Sequence, residues 1–130
     1  MKKILLFSVF ILTIFACKKE KFSPVGPTDV RVRNLSDLNF VEVIVDTSGG
    51  IDTLGDIAAK DTSEYFRFEK AYPKAEISAK INGEIFSTEP VSYTYLTYIG
   101  QAKITYHVFI SSMPGKKLEI HEVTLDAPLD

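Results

Sequence analysis

From residue 29 onward, apolar and polar side chains alternate with a period of two. Val30 and Val32 alternate with Arg31 and Arg33, and Val41, Val43 and Val45 with Glu42, Ile44 and Asp46. Ala75, Ile77, Ala79 and Ile81 alternate with Glu76, Ser78 and Lys80. Further on, Ile104, Tyr106, Val108 and Ile110 alternate with Lys103, Thr105, His107 and Phe109. This period marks strands with one face buried and the other wet. Leu118 and Ile120 open a last strand whose phase breaks near His121-Glu122 and resumes at Val123 and Leu125. A β-bulge produces such a break.

Turn signals divide the pattern. Asn82-Gly83 lies between Ile81 and Ile85 and predicts a two-residue type I′ hairpin, because both residues tolerate positive φ. Met113-Pro114-Gly115-Lys116 turns the penultimate strand into the last, and Ser48-Gly49-Gly50 ends the second. Phe66 and Phe68, alternating with Tyr65 and Arg67, read as a strand, as does the tyrosine-rich run Val91 to Tyr98 closed by Gly100. Asp56 to Lys60 is the one stretch open to a helical reading and is too short to stand alone. Seven or eight short strands in one domain, residues 29–126, predict an all-β fold, an antiparallel β-sandwich.

The N-terminus reads differently. Lys2 and Lys3 precede the apolar run Ile4 to Ala16, which as a helix rises about 20 Å, short of the roughly 30 Å hydrocarbon core. Residues 1–16 therefore read as a cleaved signal peptide. The run ends Ile14-Phe15-Ala16-Cys17. That tetrapeptide resembles the lipobox of bacterial lipoproteins, with Phe15 departing from the small or aliphatic residue usual at its place. The resemblance implies a diacylglycerol on the Cys17 thiol, cleavage before it by signal peptidase II, and a mature N-terminus carrying three acyl chains. Each buried methylene contributes about 0.8 kcal/mol, so two or three chains anchor stably where one does not.

Lys18-Lys19-Glu20-Lys21 is a charged collar similar to the short signal behind the lipidated cysteine of surface-exposed Bacteroidota lipoproteins. Pro24 and Pro27 bias their segment toward an extended tether, so that residues 17–28 read as lipidated cysteine plus spacer. Within the domain, Tyr65-x-x-Phe68-Glu69-Lys70-Ala71-Tyr72 followed by Ala75-x-Ile77-Ser78-x-Lys80-Ile81-Asn82-Gly83 is similar to small Bacteroidota lipoproteins. The resemblance implies an immunoglobulin-like or transthyretin-like sandwich and an outer-membrane address, facing the periplasm or the cell surface. It carries over no catalytic residue.

Composition narrows the function classes. Cys17 is the one cysteine, so neither an internal disulfide nor a cysteine-based zinc site is available. The net charge is −2, and −4 once Lys2 and Lys3 leave with the signal peptide, which offers no electrostatic footprint for nucleic acid.

Four groups of residues invite chemistry. If the last two strands pair as a hairpin, His107 falls opposite Glu119 or His121, and with Glu122 such a set has zinc ligands; exposed cross-strand polar neighbours are the commoner meaning. Asp46, Asp52, Asp56 and Asp61 lie in a glycine-rich stretch that could hold calcium, but the EF-type spacing is absent, and turns favour the same residues. Ser48, Ser63 and Ser111 lack a nucleophile-elbow context. Tyr93 and Tyr95, on one face of the expected tyrosine-rich strand, are candidates for binding a partner.

The expectation is thus a lipid-anchored cell-envelope protein with no catalytic residue, metal or cofactor. It would serve as an accessory or protein-interaction module, by β-edge pairing or through Tyr93 and Tyr95. A surface binder of a small molecule or glycan is the alternative.

Overall fold

The computed structural model describes residues 25–129. The segments expected to be a signal peptide and a tether, with Cys17 between them, lie outside the described residues up to residue 24.

Eight strands run through the domain: β1 (Thr28–Asn34), β2 (Phe40–Asp46), β3 (Ile51–Ile57), β4 (Phe66–Phe68), β5 (Glu76–Ile81), β6 (Glu84–Ser87), β7 (Ala102–Ser112) and β8 (Lys117–Pro128). They form one mixed sheet in the order β3-β2-β5-β6-β8-β7-β1-β4. Its end strands β3 and β4 approach each other, so the sheet nearly closes into a barrel around a single core. The all-β class and strand number match the sequence reading, but the sheet is not wholly antiparallel. β1 runs parallel to β7 and β6 parallel to β8. The β6–β8 junction is the single bridge Ser87↔Lys117, a seam between two four-stranded halves.

The parallel β1–β7 pair follows from where the two strands begin. Thr28 Oγ1 donates to the Gly100 carbonyl at 2.5 Å, and Gln101 Nε2 to the Val25 carbonyl at 3.1 Å, so both strands start at the same end of the domain. Thr28, Val30, Val32 and Asn34 then point inward together. Asn34 caps the strand from inside: its Nδ2 donates to the carbonyls of Leu38 (2.7 Å), Ile57 and Ala58 (both 3.2 Å), and its Oδ1 accepts from Ser36 N at 2.8 Å. A fully buried amide is tolerated here because its polar atoms are satisfied.

The core is assembled from the alternating positions. Ala75, Ile77, Ala79 and Ile81 are all buried, as are Ile104, Tyr106, Val108 and Leu118. Burying each large apolar side chain contributes about 1.5–3 kcal/mol. Asn82 (φ 53°) and Gly83 (φ 80°) join Ile81 to its partner Glu84, the expected two-residue hairpin. The phase break in β8 is a bulge at His121: His107 pairs with Glu122 and Val108 with Ile120, leaving His121 without a residue opposite.

Two strand expectations are corrected. Residues 91–98 are not a strand but part of an arm between β6 and β7; β5 already has β2 and β6 as neighbours, so no strand edge remains for them there. β3 was hidden in the sequence. Its inward residues Leu54 and Ile57 are three apart, because the pairing slips near Gly55 (φ 88°). The same irregularity exposes Val41, expected inside, and buries Phe40 in its place. Asp56 to Lys60 holds the end of β3 and a turn rather than a helix.

Candidate functional site

The arm of residues 88–101 carries the tyrosines. Thr88 N donates to the Ile77 carbonyl at 3.0 Å, Val91 N to Glu76 Oε2 at 3.0 Å, and Ile99 N to the Ala71 carbonyl at 2.7 Å. Between these ties, Leu96 N reaches the Tyr93 carbonyl at 3.1 Å and closes a β-turn with Tyr95 inside it. Tyr95 is 96% exposed. Tyr93 instead folds back: its ring lies 4.9 Å from Tyr72, and its hydroxyl donates to the Asp46 carbonyl at 3.4 Å. Burial, then the nearby carboxylates of Glu76 and Asp46, push its pKa up to about 12. Tyr106, beneath them, donates to the Tyr72 carbonyl at 2.5 Å, and burial raises its phenol further. Tyr93 and Tyr95 therefore share no face; one pins the arm and the other stands at its tip.

A cleft of about 780 Å³ separates the arm from β8. One wall holds the consecutive residues Leu118 to Val123, the other Thr88 to Ser92 with Leu96. β7 pairs along one edge of β8, and the cleft opens beside the other, where the pairing with β6 is the single bridge Ser87↔Lys117.

The outer faces of the two halves differ in chemistry. On β2, β3 and β6, Val41 (38% exposed), Ile44 (38%), Ile51 (70%) and Ile85 (63%) stand outward. Pairing aligns Val41 with Lys80 and Lys80 with Ile85, and sets Ile44 one row away. On the opposite half the outward groups bond to one another. Tyr65 Oη donates to Asp126 Oδ2 at 2.7 Å, and Thr105 Oγ1 to the same oxygen at 2.6 Å. Arg31 Nε donates to Thr105 Oγ1 at 2.9 Å, and its guanidinium lies 4.7 Å from the Tyr65 ring centroid. Burial, then the hydrogen bond to Asp126, raises the Tyr65 pKa. Burial works against ionisation of Asp126, yet bonds from Thr105, Tyr65 and Thr124 with the Arg31 charge outweigh it and lower its pKa. These bonds tie the entry of β4 to the end of β8 across β1 and β7.

The histidines do not meet as expected. His107 faces Glu122, not Glu119 or His121, and its Nε2 lies 3.0 Å from Thr124 Oγ1. The bulge turns His121 onto Phe109, edge to face at 6.2 Å. The four aspartates each accept a backbone N–H: Asp46 from Ser48, Asp52 from Thr53, Asp61 from Thr62, and Asp56 from Glu42 (φ 51°). Among the described residues, no group of three or more His, Cys, Asp or Glu side chains is placed to hold a metal ion.

Sequence reasoning missed the Arg31–Tyr65–Thr105–Asp126 network and the cleft. The outward phase of Arg31 and Thr105 was visible in the alternation; their neighbours Tyr65, just before β4, and Asp126 on β8 were not.

No family model matches the chain, and neither does any curated protein. Among solved structures, an NMR structure of a protein from Eubacterium rectale is similar, with a TM-score of 0.51 over 82% of this chain and 96% of its own, at 13% identity. That likeness shows the fold alone.

Proposed function

We propose that this protein is a lipoprotein anchored through Cys17 that serves as a non-enzymatic interaction module of the cell envelope. The observation that carries the reading is Tyr95, a large amphipathic side chain 96% exposed at the tip of an arm tied down on both sides. Presenting Tyr on a fixed backbone lowers the ordering cost of binding, and Tyr is enriched where proteins meet. The outward aliphatic residues Val41, Ile44, Ile51 and Ile85 add apolar area to the outer face of β2, β3 and β6 and support the same reading. The two halves joined at Ser87↔Lys117 act in this reading as the two layers of an immunoglobulin-like or transthyretin-like sandwich. The lipid anchor at the outer membrane rests on the lipobox-like Ile14-Phe15-Ala16-Cys17.

The test places a photo-crosslinking amino acid at Tyr95 in intact cells, with the anchor retained and an unrelated lipoprotein as control. One protein captured near stoichiometry at Tyr95, and not from the exposed Asp37, is the expected result. Equal labelling at both positions, or none, overturns Tyr95 as the contact of the module. Separately, Cys17→Ala should abolish lipid labelling and membrane partition; unchanged partition overturns the anchor.

The second reading, a binder of a small molecule or glycan, draws on the cleft, whose volume of about 780 Å³ lies within the range of ligand sites.

A further inference from the structure

We infer that the cleft beside β8 receives an extended, basic peptide segment of a partner protein, paired by its backbone to the edge of β8. The inference rests on the interaction-module reading and names where and what it binds. β8 is bonded along one edge to β7, while on the other its strand pairing stops at Ser87↔Lys117. Beyond that bridge the chain after β6 stays with β5, through Thr88 N to the Ile77 carbonyl and Ile77 N to Thr88 Oγ1, both 3.0 Å. The sheet therefore splits from one closed point, with the Leu118–Val123 edge forming one side of the opening. Addition of a strand to such an edge is a recurrent mode of peptide recognition, with main-chain bonds supplying affinity and alternate side chains specificity.

Charge selects the occupant. Glu119 and Glu122 line the cleft, are exposed, and enter no ion pair among the described residues, whereas Glu89 is already held by Lys117. Lys74 is the cation of the lining. Ile120 and Val123, both half-buried, supply apolar contacts beside the carboxylates, while the Leu118 side chain belongs to the core and offers only its backbone. A segment alternating Lys or Arg with aliphatic residues matches this wall. A segment lying antiparallel to β8 makes the slightly more stable pairing. The His121 bulge disrupts regular spacing and limits the pairing to Leu118 through Ile120.

The test uses the full chain in detergent micelles and a fluorescein-labelled Lys-Val-Lys-Val-Lys-Val peptide, read by anisotropy at low salt. Saturable binding is expected, weakened at least tenfold in Glu119→Lys/Glu122→Lys and strengthened in Lys74→Glu. Methylating alternate peptide nitrogens on the pairing edge should abolish binding, and the peptide should slow amide exchange at Leu118–Ile120. Absent saturable binding, equal binding of the methylated peptide, or indifference to both charge changes overturns the inference. Circular dichroism confirms that each variant is folded. If the peptide fails while the Tyr95 adduct forms, the cleft assignment falls and the module stands. If the peptide binds and Tyr95 captures nothing, the cleft stands and the Tyr95 contact falls.

Discussion

Tyr65 Oη donates to Asp126 Oδ2 at 2.7 Å between residues 61 apart in sequence. The bond links the entry to β4 with the end of β8, across β1 and β7, whose Arg31 and Thr105 lie side by side beneath it. It also explains why Thr105, on the outward phase of its strand, is only 2% exposed.

Tyr65→Phe should lower stability by less than about 1 kcal/mol near neutral pH, the scale of exposed charged contacts. The Asp126 pKa is lowered, so its contribution is complete above about 4 and is lost as pH falls through the lowered value. The Tyr65 pKa is raised, so its contribution is complete below about 10 and is lost as pH rises through the raised value. Urea melts across pH should show a difference between wild type and variant that shrinks at both ends; a constant difference contradicts the assignment.

Tyr93 gives a second alkaline signature. Carbon-13 NMR of the tyrosine ring carbons should show one residue titrating near 12, and Tyr93→Phe should remove it. Because the folded value is raised, the Tyr93 contribution to stability is present below about 10 and disappears as pH rises toward 12. A Tyr93 midpoint near 10 contradicts its placement against Tyr72 and Asp46.

Asn34→Ala should destabilise the domain by about 2–4 kcal/mol, since the carbonyls of Leu38, Ile57 and Ala58 lose a shared donor inside the protein. Chemical denaturation with an unchanged slope is the readout. A loss below about 1 kcal/mol would show that those carbonyls find other donors.

Gly83 and Gly49 separate two kinds of glycine requirement. At Gly83 (φ 80°) an added Cβ meets nothing within 4 Å, so Gly83→Ala should cost about 1–2 kcal/mol from backbone strain alone. At Gly49 the added Cβ would lie 2.5 Å from Lys70 Cβ and 2.8 Å from its backbone N, so Gly49→Ala should cost about 1–3 kcal/mol through crowding. A D-alanine introduced by ligation should restore stability at position 83 and not at 49.

What the sequence determined by itself was local. Alternation in residues 75–81 and 104–108 specified strands and their buried faces, because side chains of a strand point to opposite sides whatever its neighbours. Asn82-Gly83 specified its hairpin through φ alone. The β8 bulge was legible as a phase break at His121-Glu122. Tertiary structure decided what depends on neighbours. Leu54 and Ile57 read as a strand only once β2 lies beside them, since their irregular pairing erases the period. Tyr93 and Tyr95 looked like strand neighbours, yet the packing of Tyr93 on Tyr72 makes the segment an arm. Parallel pairing, the Ser87↔Lys117 seam and the cleft beside β8 arise from which strands meet, and strand partners are chosen by the whole core rather than by any one segment.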